Sequence, residues 1–199
     1  GFRRAFIDFR VLDRNGETLW ASGRTDGAGV LVDHDGKPVE GEHWWNEDCS
    51  ARIAPEKRLH QPHFERITRQ DQVQVYQELV STPPDETGTA AGEAMCGPGT
   101  APRGQLTTSF LSICSSVKDN RLLPSGYLGV DDRKKIAAAF GAGEDLALET
   151  GSFGVGEDPD YVSGGGDSLV YEVALDDLPE DAAPAAVEAT LYYQATPPF

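Results

Sequence analysis

The stretch RAFIDFRVLDRNGETLWAS, residues 4–22, decides the fold class of this chain. Its apolar side chains recur at every second position from Ala5 to Val11, which is the period of a half-buried β-strand. Asn15-Gly16 tolerates the positive φ angles of a type I′ turn, and residues 17–21 supply a return strand. The stretch therefore predicts an antiparallel β-hairpin.

The C-terminal part of the chain carries the same two-residue period. Residues 169–175 and residues 187–193 both alternate apolar with other side chains, as half-buried strands do. The acidic connection between them, residues 176–185, contains two prolines and is too short for a crossover helix, so the two strands are predicted to pair antiparallel. Near the N-terminus, residues 29–39 add a short ribbon that turns at Asp33-His34-Asp35-Gly36.

The middle of the chain is less regular. Residues 72–80 fit either a helix or a strand, and their β-branched and aromatic content favours a strand with residues 106–111 as its partner. Residues 81–104 are rich in Gly and Pro and predict a long mobile loop insertion. One short helix is predicted over residues 131–140, with Asp131 as its cap.

Together these elements predict an all-β fold: an antiparallel β-sandwich of Ig-like or jelly-roll style, with one short helix and the long Gly/Pro-rich loop. A chain of 199 residues can bury one sizeable core, so residues 1–199 are expected to form a single β-sandwich domain. The sequence starts and stops within patterned β-sequence and has no initiator Met. It is therefore expected to be one domain of a longer polypeptide.

The chain is strongly acidic, with 33 Asp and Glu against 17 Lys and Arg and a formal net charge of -16. This charge repels the phosphates of nucleic acids and the headgroups of anionic lipids, both of which are bound by clustered Lys and Arg. No run approaches the roughly 18 apolar residues that a membrane-spanning helix requires. We therefore expect neither nucleic-acid binding nor membrane contact by this chain.

The three cysteines, Cys49, Cys96 and Cys114, are too scattered for a zinc ribbon. The sequence has no Cys-x-x-Cys-His motif, so no haem attachment is expected on these residues. Their odd number permits at most one internal disulfide. All three pairings remain open in an oxidising compartment, and no bridge is expected in a reducing one.

Two groups of side chains are candidate metal ligands. His60 and His63 form a His-x-x-His pair in a proline-containing loop, where two imidazoles can converge on one ion, although no third protein ligand is identified. Asp158, Asp160 and Asp167 lie among flexible glycines and suit a separate calcium site. The simpler interpretation is that all these side chains make ordinary surface hydrogen bonds and turn contacts.

A polar group, Asp119, Asn120 and Arg121, lies beside two leucines and a Pro-Ser-Gly turn. It can lock a loop at the edge of the sandwich, or it can bind an ion or an interdomain partner. The aromatic side chains are assigned to core packing rather than to a sugar-binding platform. The sequence contains no Gly-x-Ser-x-Gly elbow and no phosphate loop, so no catalytic residues are assigned and the chain is not expected to be an enzyme.

Seven segments follow one another in a distinctive order: residues 4–13, 19–25, 60–63, 71–76, 118–124, 164–171 and 191–194. They include His60-Gln61-Pro62-His63, Lys118-Asp119-Asn120-Arg121 and Leu191-Tyr192-Tyr193-Gln194. In residues and order they resemble the C-terminal β-sandwich region of bacterial multihaem c-type cytochrome family proteins. The resemblance spans nearly the whole chain.

The resemblance implies a parent protein that is exported to the periplasm or another extracytoplasmic space and transfers electrons there. Haem c would be attached to the upstream region, with no cofactor within the present residues. This chain would then be a non-catalytic accessory domain that contacts the haem-bearing domain of the same polypeptide, and a redox partner protein is a further candidate contact. Two other functions stay open: a calcium-dependent carbohydrate-binding module, and a metalloenzyme that uses His60 and His63.

Overall fold

The computed structural model describes residues 3–42, 60–82, 106–108 and 113–196. The strands within these residues are, in chain order, β1 (Arg4–Leu12), β2 (Thr18–Ser22), β3 (Arg24–Thr25), β4 (Leu31–Val32), β5 (Arg66–Ile67), β6 (Val75–Ser81), β7 (Leu106–Thr107), β8 (Ser115–Asp119), β9 (Val170–Tyr171) and β10 (Ala186–Gln194). The helices are α1 (Val130–Ala139) and α2 (Glu144–Glu149), and two short 3-10 turns lie at Pro159–Tyr161 and Leu175–Asp177. The structure is mostly β, as the sequence predicts.

The chain divides into two compact units, Gly1–Tyr76 with Leu169–Phe199, and Gln77–Ser168. Strand β6 begins in the first unit and ends in the second. Most of the predicted mobile loop over residues 81–104 lies outside the described residues.

Strand β1 is the centre of the sheet in the first unit. It pairs antiparallel with β10 along its whole length, from Arg4 opposite Gln194 to Leu12 opposite Ala186. It also pairs antiparallel with β2, with a bulge between Val11 and Leu12. The hairpin predicted from residues 4–22 is therefore confirmed.

The turns of the first unit share one design that differs from the predicted two-residue type I′ turn. In the β1–β2 hairpin, the backbone N–H of Asp13 donates to the carbonyl of Glu17 at 2.9 Å, so three residues form the loop. One carboxylate oxygen of Asp13 accepts the N–H groups of Asn15 and Glu17, both at 2.8 Å. Gly16 then closes the loop with a φ of 85°. This is the three-residue hairpin loop in which glycine occupies the left-handed position.

The same pattern recurs twice along the chain. Asp26 and Asp33 each accept two backbone N–H groups through one carboxylate oxygen, at 2.8 and 2.9 Å for Asp26 and at 2.9 Å for Asp33. Gly29 and Gly36 supply the positive φ angles of 85° and 77°. The turn predicted at Asp33-His34-Asp35-Gly36 is confirmed.

Strand β9 pairs with an unexpected partner. Residues 169–175 are predicted to pair antiparallel with residues 187–193, but only Val170–Tyr171 forms a strand, and it runs parallel to β5. The hydrogen bonds run from the N–H of Val170 to the carbonyl of Glu65 and from the N–H of Glu172 to the carbonyl of Ile67. The alternation of residues 169–175 instead matches packing onto the core, where Leu169, Tyr171 and Val173 lie.

Two apolar clusters form the core of the first unit. The first consists of five buried side chains, Phe6, Leu31, Val39, Val73 and Val75. The second joins Val11 and Trp20 of the β1–β2 hairpin to Ile67 of β5, with Tyr171 of β9 packed against it. The ring of Tyr171 stacks on that of Phe9 at a centroid distance of 3.9 Å. The second cluster therefore joins the long antiparallel sheet to the short parallel pair of β5 and β9.

The second unit contains β7 and β8 paired antiparallel with β6, which confirms the strand predicted over residues 72–80. Of its predicted partner, residues 106–111, Leu106–Thr107 pairs with β6, and residues 109–111 lie outside the described residues. Two helices follow, whereas the sequence predicts only one. Helix α1 begins after Gly129, and Asp131 lies in its first turn without capping it. The guanidinium of Arg133 in α1 donates to the carbonyl oxygens of Leu128 and Ala147, and the bond to Ala147 connects α1 to α2. Neither helix of the described chain is long and apolar enough to cross a membrane.

Candidate functional site

The predicted histidine pair lies in the first unit, in a loop held by two glutamines. The Gln61 amide accepts the N–H of Val73 at 3.0 Å and donates to the Asp71 carbonyl at 3.3 Å. The buried Gln74 accepts the N–H of Phe64 through Oε1, so its Nε2 faces Nδ1 of His63 at 3.0 Å. Because an amide nitrogen is only a donor, Nδ1 of His63 accepts this bond. His60 and His63 are both half-buried.

The predicted calcium ligands lie in the second unit, where two of them organise a loop. One carboxylate oxygen of Asp158 accepts the N–H of Asp160 at 2.8 Å and so begins the 3-10 turn Pro159–Tyr161. The carboxylate of Asp160 accepts the N–H of Ser168 at 2.7 Å. Asp158 is buried and Asp167 is half-buried. These bonds are the turn contacts that the simpler interpretation of the sequence describes.

Asn120 forms a buried corner in the second unit. Its side-chain oxygen accepts the N–H of Gln77 at 2.9 Å, and its own carbonyl accepts the hydroxyl of Tyr161 at 2.7 Å. The flanking residues differ, because Asp119 and Arg121 pair with each other at 2.6 Å near the surface. A second pairing joins Arg121 to Glu78 at 3.1 Å. Asn120 therefore makes structural contacts, whereas Asp119 and Arg121 keep part of their charge at the surface.

Lys118 is buried beside that corner. It lies in β8 opposite Leu79, and its side chain is fully buried. Burial lowers the pKa of Lys118 from its ordinary 10.5 to about 7, because removal from water disfavours the charged ammonium. The sequence gives no signal of this burial, since Lys118 lies in a polar stretch.

Replacing Lys118 with methionine is expected to change how stability depends on pH. Above pH 7 the unfolded chain holds a proton that the folded lysine has lost, so the contribution of Lys118 to the stability of the natural chain rises with pH between about 7 and 10.5. From pH 7 to pH 9 this contribution amounts to about 2 kcal/mol, at 1.36 kcal/mol per pH unit. We expect Lys118→Met to lack this rise in chemical-denaturation curves measured at both pH values.

The exposed Lys37 supplies the matched control for that measurement. Its side chain is 75% exposed, so Lys37→Met is expected to leave the pH dependence of the natural chain in place. Identical pH dependence in Lys118→Met and the natural chain would contradict the burial of a neutral lysine.

A cleft of about 380 Å³ lies in the first unit. Its lining comes from four separate parts of the sequence, namely Trp20, Asp33, His34, residues 68–71 and Asp177. Three carboxylates and one guanidinium give this lining a net negative charge with His34 neutral. Arg69 pairs with Asp71 at 2.9 Å, and Trp20 is 1% exposed and forms part of the wall. Such a polar cleft suits a small cationic or polyhydroxylated ligand.

Exposed apolar side chains lie on β10 in the first unit and in the helical segment of the second unit. On β10, Val187, Leu191 and Tyr193 point to one side of the strand, and each is at least 62% exposed. In the second unit, four well-exposed apolar side chains of the helical segment, each at least 45% exposed, form what we call the helical patch: Ile136, Phe140, Leu146 and Leu148. The sequence predicts β10 as a half-buried strand, and this prediction is wrong, because most of its side chains are exposed.

Comparisons with models of protein families, with curated proteins and with solved structures found no match to this chain. Its function is therefore inferred from the surfaces and side chains described above.

Proposed function

We propose that this chain is a non-catalytic accessory domain of an exported multihaem c-type cytochrome family protein, which contacts the haem-bearing domain of the same polypeptide. The observation that carries the proposal is the helical patch. The four side chains of the helical patch are 45 to 86% exposed, and exposed apolar patches are typical of surfaces that contact another protein. The resemblance of the seven sequence segments is the support for proposing a haem-bearing domain as the partner.

The geometry of the helical patch suits a docking surface. Phe140 lies at the end of α1 and is 86% exposed, and Ile136 precedes it by one helical turn on the same face. Full burial of each such side chain against a partner contributes about 1.5 to 3 kcal/mol. Polar pairs lie close by, since Lys134 contacts Glu144 at 3.1 Å. An apolar centre with a charged rim is the usual anatomy of a protein interface.

The disulfide state of Cys114 supports export. Cys114 is disulfide-bonded, and the other two cysteines of the chain, Cys49 and Cys96, lie outside the described residues. Disulfides persist in the periplasm and other oxidising compartments and are rare in the cytosol. A periplasmic or otherwise extracytoplasmic location is therefore part of the proposal.

The proposed fold is an antiparallel β-sandwich of Ig-like or jelly-roll style. Its support is the shared core of the first unit, in which Val11 and Trp20 from one sheet meet Ile67 and Tyr171 from another pair of strands. Two sheets that bury their inner faces against each other are the defining feature of a sandwich.

The cleft favours the second candidate function, a calcium-dependent carbohydrate-binding module. Carboxylates, an imidazole and a guanidinium that converge on a cavity can bind several hydroxyl groups of a sugar. Asp158, Asp160 and Asp167 would be the calcium ligands. The aromatic contribution is weaker, because Trp20 is buried and cannot stack on a ligand. A metalloenzyme that uses His60 and His63 has less support, since His63 already bonds to Gln74.

Purification of the natural polypeptide that contains this chain tests the proposal. We expect the spectrum of haem c, and we expect a polypeptide larger than the 21.4 kDa of this chain. In limited proteolysis, Phe140→Asp is expected to speed the release of this chain from its parent, whereas Leu175→Asp, at a position 78% exposed and outside the patch, is not. A polypeptide without haem whose melting temperature rises with calcium would overturn the proposal in favour of the carbohydrate-binding module.

A further inference from the structure

The outer edge of β10 is available for pairing. β10 spans nine residues and is hydrogen-bonded to β1 on one side. Among the described residues, no strand pairs with its other side. Such an edge presents a row of N–H and carbonyl groups that can accept another strand.

The sequence of β10 lacks the features that normally protect an edge. Natural edge strands are blocked by lysines, prolines or bulges. The sequence AVEATLYYQ contains no Lys, Pro or Gly, and its only charged residue is Glu188. The β1–β10 register runs through nine consecutive residue pairs without a shift. Within the part of the chain that the structure describes, the edge is therefore long, regular and unpaired.

We propose that β10 pairs with β10 of a second copy of this chain, antiparallel and with two-fold symmetry centred on Thr190. In an antiparallel pair, the numbers of facing residues add to a constant, and two-fold symmetry makes that constant twice the number of the residue on the axis. Overlap of all nine residues, Ala186–Gln194, requires Thr190 on the axis. The interface is then isologous, as in most homodimers.

This register makes the two strands complementary. Leu191 faces Ala189 of the second copy, and Tyr193 faces its Val187. These apolar side chains lie on one side of the strand, where Leu191 and Tyr193 are each 62% exposed. Aromatic and β-branched side chains that face each other across two strands stabilise a sheet. Pairing therefore joins the two exposed apolar faces into one continuous surface.

The charges are compatible with the same register. Glu188 faces Tyr192 of the second copy, so no like charges oppose each other. Within its own chain, Glu188 lies across from Arg10 of β1. The net charge of -16 on each copy opposes association at long range, and salt screens this repulsion. The dimer is therefore expected to strengthen as ionic strength rises.

This inference is independent of the proposed function, because it uses β10 rather than the helical patch. Sedimentation equilibrium of the purified chain at low and high salt tests it. We expect a species of twice the 21.4 kDa monomer mass, with a lower dissociation constant at high salt. A chain that stays monomeric at millimolar concentration in both salts would overturn the inference, whatever the result for the haem-bearing parent.

Variants separate β10 from other contact surfaces. Leu191→Lys places charges at the predicted interface and is expected to raise the dissociation constant at least tenfold. The matched control is Leu175→Lys, at a position 78% exposed and outside β10, which is expected to leave the dissociation constant unchanged. Both sites are exposed, so both variants are expected to melt like the natural chain. Equal dimerisation of Leu191→Lys and the natural chain would place the interface elsewhere and overturn the inference.

A cysteine at position 190 tests the register itself. Under mild oxidation, Thr190→Cys is expected to form a covalent dimer, because the two residues lie opposite each other on the axis. Leu175→Cys and the natural chain are expected to stay uncrosslinked under the same conditions. Failure of Thr190→Cys to crosslink above these controls would exclude this register.

Discussion

Replacing Gly23 with alanine is expected to lower the free energy of unfolding by about 4 kcal/mol or more. This loss has two causes, a steric clash of the added methyl group and strain in the backbone. Gly23 has a φ of 81°, in the left-handed region, and an added Cβ would lie 2.0 Å from the carbonyl oxygen of Ile7. This oxygen belongs to β1, the central strand of the first unit, and cannot move away without distorting the sheet. Chemical denaturation of the purified variant measures the effect, and failure to accumulate folded protein is the extreme outcome.

Two other glycines separate the two causes. Gly36 has a positive φ of 77°, but a Cβ there would meet no atom within 4 Å, so Gly36→Ala is expected to cost only about 1 kcal/mol of backbone strain. Gly27 has neither constraint, and Gly27→Ala is expected to be neutral or slightly stabilising. An effect of Gly23→Ala no larger than that of Gly36→Ala would contradict the close approach of Gly23 to β1.

Replacing Glu42 with alanine is expected to destabilise the chain by about 3 to 5 kcal/mol, because it leaves the Arg4 guanidinium buried without its counter-charge. The two side chains form a bidentate pair, with N–O distances of 2.5 and 2.9 Å, and both are almost fully buried. The same carboxylate accepts the N–H of Leu31 at 2.9 Å. Removal of Glu42 therefore affects β1 and β4 together, and equilibrium denaturation measures the loss.

An exposed pair and a double variant supply the controls. Glu172→Ala breaks the ion pair with Arg66, in which both side chains are exposed. This variant is expected to lower the free energy of unfolding by less than about 1 kcal/mol. In Arg4→Leu combined with Glu42→Leu, neither charge is buried, so much of the stability lost in Glu42→Ala should return. Equal losses in the double variant and in Glu42→Ala would show that the unpaired charge is not the cause.

The Arg4–Glu42 pair also links stability to the proposed dimer edge. Nε of Arg4 donates to Oε1 of Gln194 at 2.6 Å, and Nε2 of Gln194 donates to the carbonyl of Gly29 at 2.8 Å. The last residue of β10 is thus held by β1 and by the turn at residues 26–29. A loss of Glu42 is expected to loosen this end of β10 as well as the core.

Local patterns in the sequence predict the elements that depend on neighbouring residues. The two-residue period of residues 4–12, the Asp-x-x-Gly turns and the β-branched content of residues 72–80 all indicate the structure that forms. Each of these signals depends on contacts within a few residues, and such contacts are encoded locally. The turn type is predicted less well, because the Asp13 carboxylate favours a three-residue loop over the Asn-Gly type I′ turn.

The candidate sites depend on contacts between distant residues and are less visible in the sequence. Residues 20, 33–34, 68–71 and 177 line the cleft, but nothing in their spacing indicates that they meet. Strand alternation indicates that β10 has two faces without showing how far either face is covered, so its exposure is not predicted. Burial of Lys118 is hidden for the same reason, since it follows from packing around β8.

Strand period and turn chemistry were sufficient to predict a β-rich chain, because both act over short range, and composition alone gives its net charge of -16. Tertiary structure alone decided that β9 pairs with β5 in parallel, that Arg4 and Glu42 meet in the core, and that, among the described strands, only β1 pairs with β10. These outcomes depend on which distant segments bury each other's apolar surface and satisfy each other's hydrogen bonds. That choice is made by the whole packed chain rather than by any local stretch of it.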